Sequence, residues 1–197
     1  MSMFGTFRKL VRRTTFPGAL AMAAFGLMPA DATYAQTNIL ADDALIVAVY
    51  ENRVERVREL LVRQHPKSRA DTDGRTALIW GAIEGSYDAI ELLLKDKARV
   101  DLVDSVGNGA LYYAAENGHL DVVELLLYFD AAIDLENRDG RTPLMAAVRG
   151  GHAQIVQLLI DKGADVTISD FTGRTALDLA RDSRSRQVTA IVQKAAR

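Results

Sequence analysis

Apolar residues recur along this chain in blocks with a fixed phase. Leu92-Leu93-Leu94, Leu125-Leu126-Leu127 and Leu158-Leu159-Ile160 lie 33 residues apart, and Leu78, Leu111, Leu144 and Leu177 keep the same step. Carried back one period, the frame places Leu45, Ala48, Val57, Leu60 and Leu61 on equivalent positions. Ile90, Leu93 and Leu94 have the spacing of one helix face, so each period is expected to hold a second helix after the one that carries the isolated leucine. A period this long signals repeated supersecondary units, each too small to bury its own apolar face.

The polar positions repeat with the apolar ones. Gly74, Gly107, Gly140 and Gly173 close turn-like stretches, and Thr76, Thr142 and Thr175, with Gly109 as the exception, follow two residues later. A threonine before Ala-Leu or Pro-Leu reads as a helix N-cap, with Pro143 at the first helical position; Asp43 takes that place before Ala44. Gly85, Gly118 and Gly151 divide the two helices. Gly163 suits a left-handed closure of the second helix. Lys97 and Asp130 at the same place predict turns that are strained or closed differently. The units expected are 38–70, 71–103, 104–136, 137–169 and a shorter 170–197. Both ends look like caps: the first unit is charged, and the last weakens its apolar helix to Val188, Thr189, Ile191, Val192 and Gln193.

Asp139-Gly140-Arg141-Thr142-Pro143-Leu144, followed by Gly151-His152 and Gly163-Ala164-Asp165, resembles the ankyrin-repeat family. The resemblance covers residues 71–180 and reaches 38–70 through the period. It implies an all-α ankyrin-repeat solenoid, with an antiparallel helix pair and a projecting β-turn finger per unit. One departure concerns the histidine that the family often has after the capped leucine. Ile79, Tyr112, Met145 and Asp178 stand there, so packing is expected to replace the family's polar link.

The opening residues follow a different pattern. Arg8, Lys9, Arg12 and Arg13 precede an uncharged, largely apolar run from Phe16 to Ala30, and small residues end it at Ala30-Asp31-Ala32 and Thr33-Tyr34-Ala35. This is the three-part layout of a secretory signal peptide, residues 1–35, with cleavage expected after Ala35 or alternatively Ala32. An uncleaved anchor is disfavoured by the short run and by Pro17, Gly18 and Gly26. An organellar transit peptide is disfavoured because the apolar block is continuous. Arg12-Arg13-Thr14-Thr15-Phe16 leaves the twin-arginine and general routes both open. A periplasmic location is expected, with no stable membrane insertion once the leader is gone.

Composition narrows the chemistry. The formal charge is -2 over 197 residues, and about -5 without the leader, which argues against nucleic acid as partner. With no cysteine, thiol catalysis, thiolate metal sites and disulfides are excluded. His119 and His152 share one repeat position, which points to a scaffold role, and His65 lies in a loop without a paired ligand. The acidic pairs Asp88 with Glu91 and Asp121 with Glu124 read as solvated helix surface. No nucleophile elbow or phosphate loop is present. The expectation is a non-enzymatic monomer with no metal and no cofactor.

By the resemblance, a partner protein is met by the finger tips and the exposed edges of the first helices. Residues mapping there are Arg75, Asn108, Arg138, Arg141, Arg149, Phe171 and Arg174, an aromatic among guanidiniums of the kind enriched at interface hot spots. Because Asp-Gly-Arg-Thr is itself close to the family pattern, Arg75, Arg141 and Arg174 equally suit bracing of adjacent fingers. Tyr128 and Phe129, at the end of a second helix, form another candidate contact, while Trp80, Tyr112 and Tyr113 are expected in the core. An immunity-type inhibitor, an envelope stress accessory, a host-targeting effector and a hydrolase with a cryptic site are the alternatives to a periplasmic binding module.

Overall fold

A computed structural model describes residues 43–183 and 185–196. The leader and both of its expected cleavage points lie outside the described residues. Among the described residues ten helices form five consecutive pairs: α1 Ala44–Tyr50 with α2 Val54–Val62, α3 Ala77–Glu84 with α4 Tyr87–Lys95, α5 Ala110–Asn117 with α6 Leu120–Tyr128, α7 Pro143–Gly150 with α8 Ala153–Asp161, and α9 Ala176–Asp182 with α10 Arg186–Ala195. The first helices of the pairs stack on one another in one row and the second helices in a parallel row.

The 33-residue period becomes ladders of buried side chains. Val57, Ile90, Val123 and Val156 are fully enclosed at one position of the second helices, and Leu93, Leu126 and Leu159 at another. Each such side chain contributes about 1.5–3 kcal/mol relative to exposure. None can be buried by its own pair alone, which ties stability to stacking. Ile79, Tyr112 and Met145 are also buried, so packing does replace the family's histidine link in the interior units. In the last unit Asp178 instead completes a capping box with Thr175.

The caps follow the expected chemistry. Asp43, Thr76, Thr142 and Thr175 each accept an amide hydrogen bond at the start of a first helix, and Gly109 offers none. Isolated antiparallel bridges join Ala70 to Thr76, Val103 to Gly109 and Ser169 to Thr175 at the finger bases. The finger that leads into Pro143 has no such bridge among the described residues; proline has no N–H to give there. At the far end, Thr189 replaces an apolar ladder residue and donates its hydroxyl to the Ala180 carbonyl at 2.7 Å, so the cap carries a satisfied polar group where a sixth unit would dock.

The closures of the second helices settle the alternative left open for Lys97 and Asp130. Both adopt left-handed backbone, with φ of 62° and 59°, as Gln64 does at 57°. The amides of Ala98 and Ala131 then reach the carbonyls of Leu93 and Leu126, as Ala164 reaches Leu159 after Gly163. The closure is the same in the first four units, and the non-glycine residues carry the strain. Lys97→Gly and Asp130→Gly are each expected to stabilise the protein by up to about 1 kcal/mol, the left-handed penalty less the added freedom of the unfolded chain. Urea midpoints measure this, and a lower midpoint would show that the lysine or aspartate side chain contributes more than its backbone costs.

Candidate protein-binding surface

Each finger is a loop wrapped around one side-chain oxygen. Asp71 Oδ1 accepts from the amides of Asp73 and Arg75, both at 2.9 Å, and Asp104 Oδ1 does the same for Val106 and Asn108. Asn137 and Asp170 repeat the arrangement in the next two fingers. A short polar residue at these positions therefore organises the loop that follows it. Successive fingers are joined by single main-chain bonds: Ser105 N to Asp73 O at 2.8 Å, Arg138 N to Val106 O at 3.1 Å, and Phe171 N to Asp139 O at 2.9 Å.

The second carboxylate oxygens tie the fingers to the helices. Trp80 donates its indole N–H to Asp71 Oδ2 at 2.8 Å, and Tyr113, one period later, donates its hydroxyl to Asp104 Oδ2 at 2.6 Å. Trp80 is buried as expected, but Tyr113 is only half-buried, and both rings work as supports for the fingers rather than as plain core. The Arg75 guanidinium lies 5.2 Å from the Trp80 ring centroid and 5.8 Å from that of Tyr113, with its Nε 3.8 Å from Asp104. The sequence signal for this support is an aromatic with a polar handle nine residues after the finger's acceptor. It is visible only once the period is known.

The candidate residues fall into two groups. Arg75 is held between two rings; Arg141 lies 3.3 Å from Asp139 and 3.9 Å from Asp170; and Asn108 is buried and accepts from Asn137 Nδ2 at 2.8 Å. These three brace the fingers. Arg138, Arg149, Phe171 and Arg174 are exposed. Phe171 is 76% exposed although its ring rests over Gly140 of the preceding finger, and Arg174 stays near Asp170 and Asp182. Val106 is also exposed, at 51%, but two fingers away, with the finger of Arg138 and Asp139 between it and Phe171. The two repeat histidines act as scaffold: His119 donates from Nε2 to the Ile83 carbonyl at 3.0 Å, and His152 to that of Glu116 at 2.9 Å, each bridging to the preceding unit.

Turns, capped helix pairs and inter-unit bridges thus repeat on one 33-residue frame, and a family model described as ankyrin repeats in three copies matches residues 23–104, 45–138 and 111–196. The chain belongs to the ankyrin-repeat family. No curated protein matches it closely enough to count as a relative. Ankyrin repeats serve in general as protein-interaction modules, and the fingers and first-helix edges described above are the exposed, preorganised part of this ankyrin stack.

Charge along that edge is uneven. Burial raises the carboxyl of Glu84, with His119 opposing the shift. Burial also raises the Tyr112 hydroxyl; Glu116 adds to that effect, while Arg149 and Arg141 oppose it. Glu84 and Glu116 lie on the first helices of the second and third units, and Arg149 and Arg181 on those of the fourth and fifth. In the last unit the carboxyl of Asp170 is held below its usual range, first by the Thr172 hydroxyl and then by the Arg174 and Thr172 amides, against the effect of burial. Asp178 is lowered by the Thr175 amide and then its hydroxyl. A depressed folded value means stability that is present above the unfolded value near pH ~3.9 and is lost as pH falls through the folded one. Acid below about pH 4 is accordingly expected to loosen the last ankyrin unit. Amide exchange in α9 and α10 measures it, and Thr172→Val should reduce the acid sensitivity. Protection in α9 and α10 that does not change down to pH 2 would contradict it.

Proposed function

We propose that this ankyrin protein is exported to the periplasm, loses its leader after Ala35 or Ala32, and acts there as a non-enzymatic module that binds a partner protein. The contact residues are Arg138, Arg149, Phe171 and Arg174, with Arg75, Asn108 and Arg141 holding the fingers in place behind them. The observation that carries this reading is Phe171. A large aromatic that stays 76% exposed at the tip of a hydrogen-bonded finger, with Arg174 in the same finger and Arg138 in the preceding one, loses little conformational freedom on binding and offers apolar area close to guanidinium donors.

Photo-crosslinking from positions 149 and 171 in intact cells tests the surface, with position 154 on a second helix as the control. The same partner is expected from both and not from the control, and equal capture from all three would remove the finger surface from consideration. Cell fractionation tests the location: a shortened protein released with the periplasm is expected, and full-length protein held in the membrane would refute cleavage. A panel of hydrolase substrates should give no turnover with the purified protein.

A further inference from the structure

The row of second helices carries a feature that the finger surface does not use. Between α4 and α6 runs an open groove of about 840 Å³. Leu125 forms part of its lining, together with Tyr87, Tyr128 and Phe129. Tyr128 is 80% exposed, yet its ring is steadied edge-to-face by Phe129, with centroids 5.3 Å apart. At the same repeat position the neighbouring units carry Lys95 and Asp161, so the aromatic is particular to this unit.

The rim of the groove is acidic. Glu91 and Glu124 occupy one repeat position on adjacent helices, and Asp121 stands one turn before Glu124. Lys95 answers only Glu91, at 2.8 Å. Asp121 accepts from the Val122 amide alone, and Glu124 has no ion-pair partner among the described residues. Three carboxylates against one ammonium leave about two uncompensated negative charges around an exposed aromatic face.

We propose that this groove is a second docking surface, and that its occupant is a basic segment of a partner protein. An arginine or lysine laid across it places its cationic head over Tyr128 and within reach of Glu124 and Asp121, while its alkyl stem covers Leu125 and Phe129. Charge selects this occupant. A second copy of the chain paired groove to groove would bring the same acidic rim against itself, and an anionic bilayer would be repelled in the same way. The groove lies on the second-helix row and the fingers precede the first helices, so the two surfaces use different residues.

Fluorescence anisotropy with the full chain tests the proposal, using a short labelled arginine–alanine peptide and a glutamate–alanine peptide as its opposite. The arginine peptide is expected to bind and the glutamate peptide not to. Glu124→Lys should weaken binding by about tenfold or more, and Tyr128→Ser by about three- to tenfold, while Tyr128→Phe keeps the ring and the affinity. Affinity should fall as salt is raised. Phe171→Ser should leave the peptide affinity unchanged, which separates failure here from failure of the finger surface. The altered positions are exposed, and circular dichroism checks that each variant stays folded. Absence of arginine-peptide binding, equal binding of both peptides, indifference to Glu124→Lys and Tyr128→Ser, or self-association in sedimentation that Tyr128→Ser abolishes would each overturn the proposal.

Discussion

Asp104→Ala is expected to lower stability by about 3–5 kcal/mol, the range for removing one partner from a buried charged network. The carboxylate is 1% exposed and serves three donors: the amides of Val106 and Asn108, at 3.0 and 2.9 Å, and the Tyr113 hydroxyl at 2.6 Å. Arg75 lies 3.8 Å away. Alanine would leave two amides and a phenol without their acceptor, and the Arg75 guanidinium without its nearby negative charge. Asp104→Asn should lose much less, because Asn137 does the same work one period later, accepting from Asp139 and Arg141 through its oxygen. Urea denaturation measures both variants. Since Asp104 belongs to an interior unit, the alanine variant should also show a reduced dependence on urea as the two halves of the stack uncouple. A loss below about 1 kcal/mol would mean that the finger is held by its main chain alone.

Gly107→Ala should be the next most damaging change, at about 2–4 kcal/mol, and its cause can be separated experimentally. Gly107 has a φ of 86°, a backbone conformation in which a side chain costs about 1–2 kcal/mol. A Cβ there would also stand 2.8 Å from the Arg138 amide nitrogen, the donor of the bond that joins this finger to the next. Backbone cannot swing aside as a flexible side chain can, so the finger-to-finger bond is lost as well. Gly173 supplies the comparison. Its φ is 81°, but nothing lies within 4 Å of its would-be Cβ. Gly173→Ala should therefore show the backbone cost alone, and the difference between the two midpoints reports the contact. Faster amide exchange at Arg138 in the Gly107 variant would locate the damage, and equal losses for the two glycines would show that the clash relaxes freely. If the finger tips bind the partner, capture from position 138 should fall with Gly107→Ala and hardly change with Gly173→Ala, since a Cβ on Gly107 meets the Arg138 amide and one on Gly173 meets nothing.

Much of this architecture was legible in the one-dimensional pattern. The helix pairs, their caps at Asp43, Thr76, Thr142 and Thr175, and the packing of Ile79 and Met145 in place of a polar link all follow from residue type at a fixed step. Local backbone chemistry governs these features, and it acts within a few residues. The division of the candidate surface was not legible. Arg75, Arg141 and Arg174 share one repeat position, yet Arg75 is sandwiched by Trp80 and Tyr113 from two different units while Arg174 stays open. Asn108 looked like a contact residue and is instead buried against Asn137. In each case the partner lies one repeat away, and only stacking brings it near.

The 33-residue step by itself determined that this chain repeats a two-helix unit whose apolar face needs a neighbouring unit to cover it, and the resemblance to ankyrin repeats added the fingers. The same step left open which arginines face inward, how Lys97 and Asp130 close their helices, and whether Tyr128 would find cover. Those outcomes were decided by the tertiary structure. Stacking sets what each residue meets from the neighbouring unit, and the backbone hydrogen bonds of the closure outweigh the local preference of the residue that makes it.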